Sequence, residues 1–167
     1  VEELYRHGHR RIAALISRPN DQSISQLRYE GYVQALESHG IPVDPELVIS
    51  TGGFGAKDAY RAVQEKMAEN VDFTALFAIA DSMAIGAMRA LMDAGRRIPE
   101  DCSVIAIDGL ELSAYIEPPL TTLCQPMEEM GRRSAEILLD MVRHKGSHAC
   151  ELLPTTLRQG RSVAAPR

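Results

Sequence analysis

The stretch from Asp72 to Gly95, DFTALFAIADSMAIGAMRALMDAG, decides how this chain folds. Phe73 to Ala80 is short and nearly apolar throughout, which predicts a strand buried on both faces and therefore central in a parallel sheet. Asp81 follows at once, and Met83, Ala84, Ala87, Met88 and Leu91 recur at helical spacing until Gly95 stops the helix.

Working outward, strands and helices alternate on both sides of this unit. Upstream, Arg11 to Ser17 reads as a first buried strand, closed by a polar loop at Arg18–Asp21. Leu27, Gly31 and Leu36 then fall at helical spacing before the stop at Gly40 and Pro42. Glu46 to Ser50 is a second strand, and Ala56 to Asn70 a surface helix with Ala59, Val63 and Met67 on one stripe. Downstream, Ser103 to Ile107 is a fourth strand, and Asp108-Gly109 opens it into a loop that runs through Glu117-Pro118-Pro119. Thr121 to Cys124 is a short strand. A long helix from Met127 to His144 should bury Met130, Ile137, Leu138 and Met141. Glu151–Pro154 and Thr155–Val163 read as two extended edge pieces. The class is α/β, a mostly parallel sheet with helices on both faces.

The composition is that of an ordinary globular chain: of 167 residues, 45% are hydrophobic and 25% charged, so neither disorder nor a fibrous repeat is suggested. A net charge of −5 argues against a surface that grips nucleic acid through its phosphates. The apolar runs are far shorter than the roughly 20 residues that cross a bilayer, and the first residues do not resemble an export signal, so the expected location is the cytoplasm. Cys102, Cys124 and Cys150 are odd in number and in no metal-binding spacing, which suits reduced cysteines in the core or at its edge.

In open parallel sheets, ligands bind beyond the carboxyl ends of the strands. Phe54 follows the second strand, Asp81 the third and Asp108 the fourth, while Arg28 lies on the helix after the first. Carboxylates and a guanidinium hold neighbouring hydroxyls at fixed geometry, and an aromatic face covers the C–H side of a sugar ring. Each residue also has a plainer use: Asp81 as a helix cap, Asp108 as a turn former, Arg28 on a solvated face, Phe54 in the core. Gln125 is a further candidate that could equally serve backbone groups.

Two other chemistries find weaker support. Thr51-Gly52-Gly53-Phe54-Gly55 between a strand and a helix is similar to a dinucleotide-binding turn, but Asp58 stands where a third glycine belongs and would repel pyrophosphate. The pairs His7/His9 and His144/His148 lack a third metal ligand, so solvated histidines are expected. No nucleophile elbow is present, and neither a cofactor nor a metal is called for.

Several strings, in order, resemble the lactose-repressor-like (LacI/GalR) regulators. They are Gly8-His9-Arg10-Arg11-Ile12-Ala13, Arg28-Tyr29-Glu30-Gly31-Tyr32, Gly53-Phe54, Asp81-Ser82-Met83-Ala84-Ile85-Gly86-Ala87-Met88, Ile98-Pro99-Glu100-Asp101, Pro118-Pro119-Leu120-Thr121-Thr122 and Leu152-Leu153-Pro154-Thr155. The resemblance spans the chain and implies a periplasmic-binding-protein-like (type I) fold, two α/β lobes with a small effector, a carbohydrate, in the cleft. It points to Arg28, Phe54, Asp81, Asp108 and Gln125 as effector contacts.

The resemblance further implies that residues 1–124 form the second lobe, 125–152 cross to complete the first, and 153–167 return. Most of the first lobe and a DNA-binding helix-turn-helix would lie upstream of Val1, and the apolar stripe of Met127–His144 would then lack part of its partner. It also implies a homodimer, touching DNA only through that missing head. Ile85, Met88, Arg89 and Met92, with Leu110, Leu112 and Ile116 in the loop after Asp108, would contribute to the two-fold contact. The competing use of that helix is burial within its own sheet. Effector binding would close or twist the lobes and so respace the DNA-reading heads. Ala80 replaces a usual asparagine and Gly109 a usual acidic or amide residue, which suits an effector less hydroxylated than a common hexose. A periplasmic sugar-binding protein of a transporter would share the fold.

Overall fold

The computed structural model describes residues 1–17, 23–144 and 150–167; the loop expected at Arg18–Asp21 and the pairing of His144 with His148 lie outside the described residues. In chain order the elements are helix α1 (Glu2–Arg6), strand β1 (Ile12–Ser17), helix α2 (Ile24–Ser38), strand β2 (Val48–Thr51), helix α3 (Ala56–Ala68), strand β3 (Ala75–Ala78), helix α4 (Asp81–Asp93), strand β4 (Ser103–Asp108), strand β5 (Thr121–Cys124), helix α5 (Met127–His144) and strand β6 (Thr156–Arg158). Single 3-10 turns at Pro45–Leu47 and Glu111–Ala114 precede β2 and β5.

One sheet runs in the order β2-β1-β3-β4-β5-β6. The first five strands are parallel and β6 lies antiparallel against β5. The chain moves outward from β1 to β2 through α2, then crosses back past β1 to reach β3 through α3. Right-handed crossovers in opposite directions put α2 on one face and α3 with α4 on the other. The winding reverses at β1, and in a sheet of this order ligands bind at the carboxyl ends of the strands beside the reversal.

The core follows the apolar pattern closely. Ile12 to Ile16, Ala75 to Ala80 and Val104 to Ala106 are buried, and α4 buries Met83, Ala84, Ala87, Met88 and Leu91. Gly86 lets α4 touch the start of α3: a Cβ there would stand 2.0 Å from the Ala56 carbonyl oxygen. On the other face Tyr32 stacks near-parallel to Phe77, and its hydroxyl donates to the Ile12 carbonyl at 2.8 Å.

Several expectations need correction. The buried stripe of α2 is Ser25, Tyr32 and Leu36, while Leu27 is 60% exposed, because Ser25 donates to the Ser17 carbonyl and Tyr32 to Ile12, and these two bonds set the rotation of the helix. Glu46 and Leu47 belong to a turn capped by the Asp44 carboxylate, so β2 starts later than expected. No residue of α5 whose side chain is described is buried, and Leu138 and Leu139 are exposed. Only Thr156–Arg158 of the two expected edge pieces forms a strand.

His9 is not solvated. It is 1% exposed, with Nε2 2.8 Å from the Ala164 carbonyl, which makes it the donor there, and Nδ1 2.9 Å from the Thr74 hydroxyl. Burial holds its pKa below the ordinary histidine value, partly offset by the bond to Ala164, while neighbouring His7 lowers it further. Among the described residues no three metal-ligating side chains gather, and no helix is long and apolar enough to cross a membrane.

Candidate functional site

Three of the five candidate residues meet at the carboxyl rim of the sheet. Arg28 projects from the second turn of α2 and is only 14% exposed, so it is not on a solvated face. One Nη atom donates to the Ile79 carbonyl just beyond β3, and the other lies 3.2 Å from Asp108 Oδ1. Gln125 Nε2 donates to the same Asp108 oxygen at 2.8 Å, and the Gln125 backbone N–H donates to the Asp108 carbonyl at 3.1 Å. A carboxylate, a guanidinium and an amide thus converge from three elements.

Asp108 is held in a conformation that side chains rarely adopt, φ +134°. Non-glycine residues there store about 1–3 kcal/mol of strain, which persists only where neighbours over-determine it. Gln125 and Arg28 supply that determination from two sides. Gly109 follows at φ +78°, and a Cβ at this position would stand 2.5 Å from Cys124 Sγ. The close passage of β5 therefore leaves no room here for the acidic or amide side chain expected from the family pattern.

Asp81 is placed differently. The helix cap position belongs to Ala80, and Asp81 makes no capping bond to its own helix. Its side chain is wholly buried and accepts from the Leu110 N–H (2.8 Å) and the Ser113 hydroxyl (2.7 Å) on one oxygen, and from the Thr122 hydroxyl (2.5 Å) on the other. A buried carboxylate with these donors is fully engaged within the fold. Ser113 and Thr122 are both buried, and their sequence context, a small polar residue in a loop and the second threonine of Thr121-Thr122, carries no mark of the partnership. Ala80 is itself 3% exposed.

Phe54 is not core: its ring is 40% exposed, and its carbonyl accepts from the Ser82 hydroxyl at 2.7 Å, tying the loop after β2 to the first turn of α4. The glycines around it do not form an anion cradle, because the Asp58 carboxylate lies over them, 3.8 Å from where a Gly53 Cβ would be. Beneath Arg28 a cavity of about 450 Å³ opens between α1, α2 and the sheet. It is lined by the apolar Phe77, Ile105, Ile107 and Leu123 and by the charged Glu2, Glu3 and Arg6.

The residues expected at a subunit contact divide. Met88 is 1% exposed and packs in the chain's own core, since it shares the inward stripe of α4 with Ala84 and Leu91. Arg89 and Met92 are exposed, Ile85 is half-buried, and Leu110 and Leu112 are exposed with Ile116 half-buried beside them. Tyr115, which was not among the expected contact residues, is the most exposed of the loop's large apolar side chains at 78%.

The model of the periplasmic binding protein-like domain matches residues 1–163. The chain is similar to the HTH-type transcriptional repressor CytR of Escherichia coli, 38% identical over an alignment of 159 residues, with 92% of this chain and 46% of that protein covered. It spans about half the length of the curated relatives it matches. Among solved structures it superposes on a dimeric Lac repressor with an 11-residue C-terminal deletion at TM-score 0.91, 30% identical, covering 99% of this chain and 60% of that one. It superposes on a complex of the transcriptional regulator CelR with cellobiose at TM-score 0.88, 34% identical, covering 96% of this chain and 49% of that one. By sequence, strand order and superposition together, the chain belongs to the periplasmic binding protein-like domain family, in the form that serves as the effector-binding part of LacI/GalR regulators.

Proposed function

We propose that this chain senses a small hydroxyl-bearing effector, a sugar or sugar-containing molecule, for a DNA-binding transcriptional regulator that works as a homodimer in the cytoplasm. The observation that carries the proposal is the convergence of Arg28, Asp108 and Gln125 at the rim of the sheet. Together they offer N–H donors and carboxylate acceptors to a pair of neighbouring hydroxyls, and the exposed ring of Phe54 stands at the same end of the sheet. Relatives bound to cellobiose and to ribose make carbohydrate the first class to test. DNA would be read by a helix-turn-helix outside this chain, in keeping with its net charge of −5.

Within the whole regulator, residues 1–124 would form the second lobe, 125–152 would cross to the first, and 153–167 would return. The absence of a buried side chain along the described part of α5 supports this division, as does the pairing of β6 with β5. The function is binding without chemistry, and the relatives named above favour a regulator over a transporter's binding protein.

A thermal-shift screen of sugars, nucleosides and purines on the full-length regulator tests the proposal, since a ligand that binds only the folded state raises its melting temperature. A hydroxylated ligand should shift the wild type and leave Arg28→Ala unshifted. Equal shifts in both proteins would remove Arg28 from the site, and no shift with any of the three classes would sink the carbohydrate assignment.

A further inference from the structure

We infer that Asp81 is a positioning residue that couples the rim carboxylate Asp108 to the exposed apolar loop Leu110–Ile116, in place of contacting the effector itself. Asp108, Gly109 and Leu110 are consecutive, so the rim and the loop share one backbone. Leu110 turns back under the rim, and its N–H donates to Asp81. Three residues on, Ser113 is buried and donates to the same carboxylate oxygen. The loop's conformation between Leu110 and Ser113 is thus written by one buried acceptor.

That acceptor is also tied to the rim. Asp81 is two residues beyond Ile79, whose carbonyl receives Arg28, and the Thr122 that donates to Asp81 is three residues before Gln125, which donates to Asp108. Arg158 of β6 completes the network by donating to Ser113 Oγ at 2.5 Å and to the Leu110 carbonyl at 2.9 Å. The Ser113 oxygen receives from Arg158, and its single proton has two acceptors at 2.7 Å, the Leu110 carbonyl and the Asp81 carboxylate, of which a carboxylate is the stronger. Three elements meet on this carboxylate, α4 that carries it, the loop at 110–113 and β5, and each of its donors starts a short path either to the rim or to the loop. Outside this network stand Leu112, 63% exposed, and Tyr115, 78% exposed. A rearrangement of Asp108 therefore reaches these side chains through Leu110 and Ser113, which Asp81 holds, so occupancy of the rim is converted into the pose of an apolar surface.

The regulatory meaning rests on the effector reading of the rim, but the test needs no effector. Amide hydrogen exchange is compared in wild type, Asp81→Ala, Asp81→Asn, Gln125→Ala and the double variant Asp81→Ala/Gln125→Ala. Asp81→Ala should speed exchange over residues 110–115 by about tenfold or more, as loss of hydrogen bonds to a buried charge opens a local segment, while 83–91 and 104–107 stay protected. Asp81→Asn should restore the loop to within about threefold of wild type, because its amide oxygen still accepts from Leu110 and Ser113 and its N–H₂ can donate to the Thr122 oxygen. Gln125→Ala should speed exchange in the loop when Asp81 is present and add nothing when it is absent. Should Asp81→Ala unfold the whole chain, Ser113→Ala removes a single donor and should show the same local opening. An unchanged loop in Asp81→Ala or Ser113→Ala, or an equal effect of Gln125→Ala in both backgrounds, overturns the coupling. Failure of the ligand screen would instead sink the effector assignment and leave these exchange rates as they are.

Discussion

Asp108 concentrates the chemistry of the rim in one strained residue. Replacing it with glycine removes the carboxylate and relieves the φ of +134° at once. The two effects on stability oppose each other: about 1–3 kcal/mol of strain is released, while Arg28 loses an ion-pair partner but keeps the Ile79 carbonyl. Asp108→Gly is therefore expected to melt close to the wild type in calorimetry and yet to weaken effector binding by about 100-fold, the loss of a charge-assisted pair of hydrogen bonds. A drop in melting temperature with affinity retained would assign Asp108 to folding alone. His9 makes a pH prediction. Its folded pKa lies below the unfolded value of about 6.5, so the unfolded chain binds the extra proton first as pH falls. Stability from neutral His9 is complete above the unfolded value and is lost as pH drops from there to the folded value. Melting curves between pH 7 and 5 should show wild type losing ground to His9→Gln, at no more than about 1.4 kcal/mol per pH unit. Parallel curves would mean that His9 carries no proton-linked stability.

At the level of elements, the strand-helix unit around Asp81 was readable because its information is local. A buried strand and an inward stripe of Met83, Ala84, Ala87, Met88 and Leu91 follow from periodicity alone. Asp81's role was not readable, since Ser113 and Thr122 lie 32 and 41 residues away in sequence and meet it only once β4 and β5 are aligned. The same holds for His9, whose partners are 65 and 155 residues distant, and for Arg28, which bonds a backbone carbonyl that no side-chain pattern reveals. Met88 falls on that inward stripe, and only its further assignment to a subunit contact fails, because the rotation of α4 against α3 turns it fully inside and leaves Met92, one turn on, exposed. That rotation depends on Gly86. Gly86→Ala forces a methyl group against the Ala56 carbonyl, and should destabilise the chain by about 2–3 kcal/mol, read as a fall in melting temperature. A melting temperature equal to wild type would show that α3 and α4 can separate freely.

For the molecule as a whole, the proposed homodimer needs an exposed apolar surface, and Leu110, Leu112 and Tyr115 in the loop after Asp108 offer one. Leu112→Asp should raise the dimer dissociation constant of the full-length regulator by at least about tenfold in sedimentation equilibrium, without altering the melting of the monomeric fold. An unchanged constant would move the contact elsewhere, and α5 with its exposed Leu138, Leu139 and Val142 would be the next surface to mutate. The order of strands and helices was legible to this level along the chain; how far the outward side chains Ile85, Arg89 and Met92 stay exposed was not, because it is set by packing between distant elements.

The last strand carries a consequence for how the molecule is made. Ala164 is the carbonyl that His9 needs, Gln159 reaches Glu3, and Val104 in the middle of the sheet donates to the carbonyl of Ser162. On the ribosome, the turn at Gly8-His9 emerges well before residue 164 and finds its partner there only after that residue has been added. The nascent lobe must wait with one edge of β5 uncovered and a histidine unsealed, so its final closure is an event that follows translation of this segment and cannot accompany it.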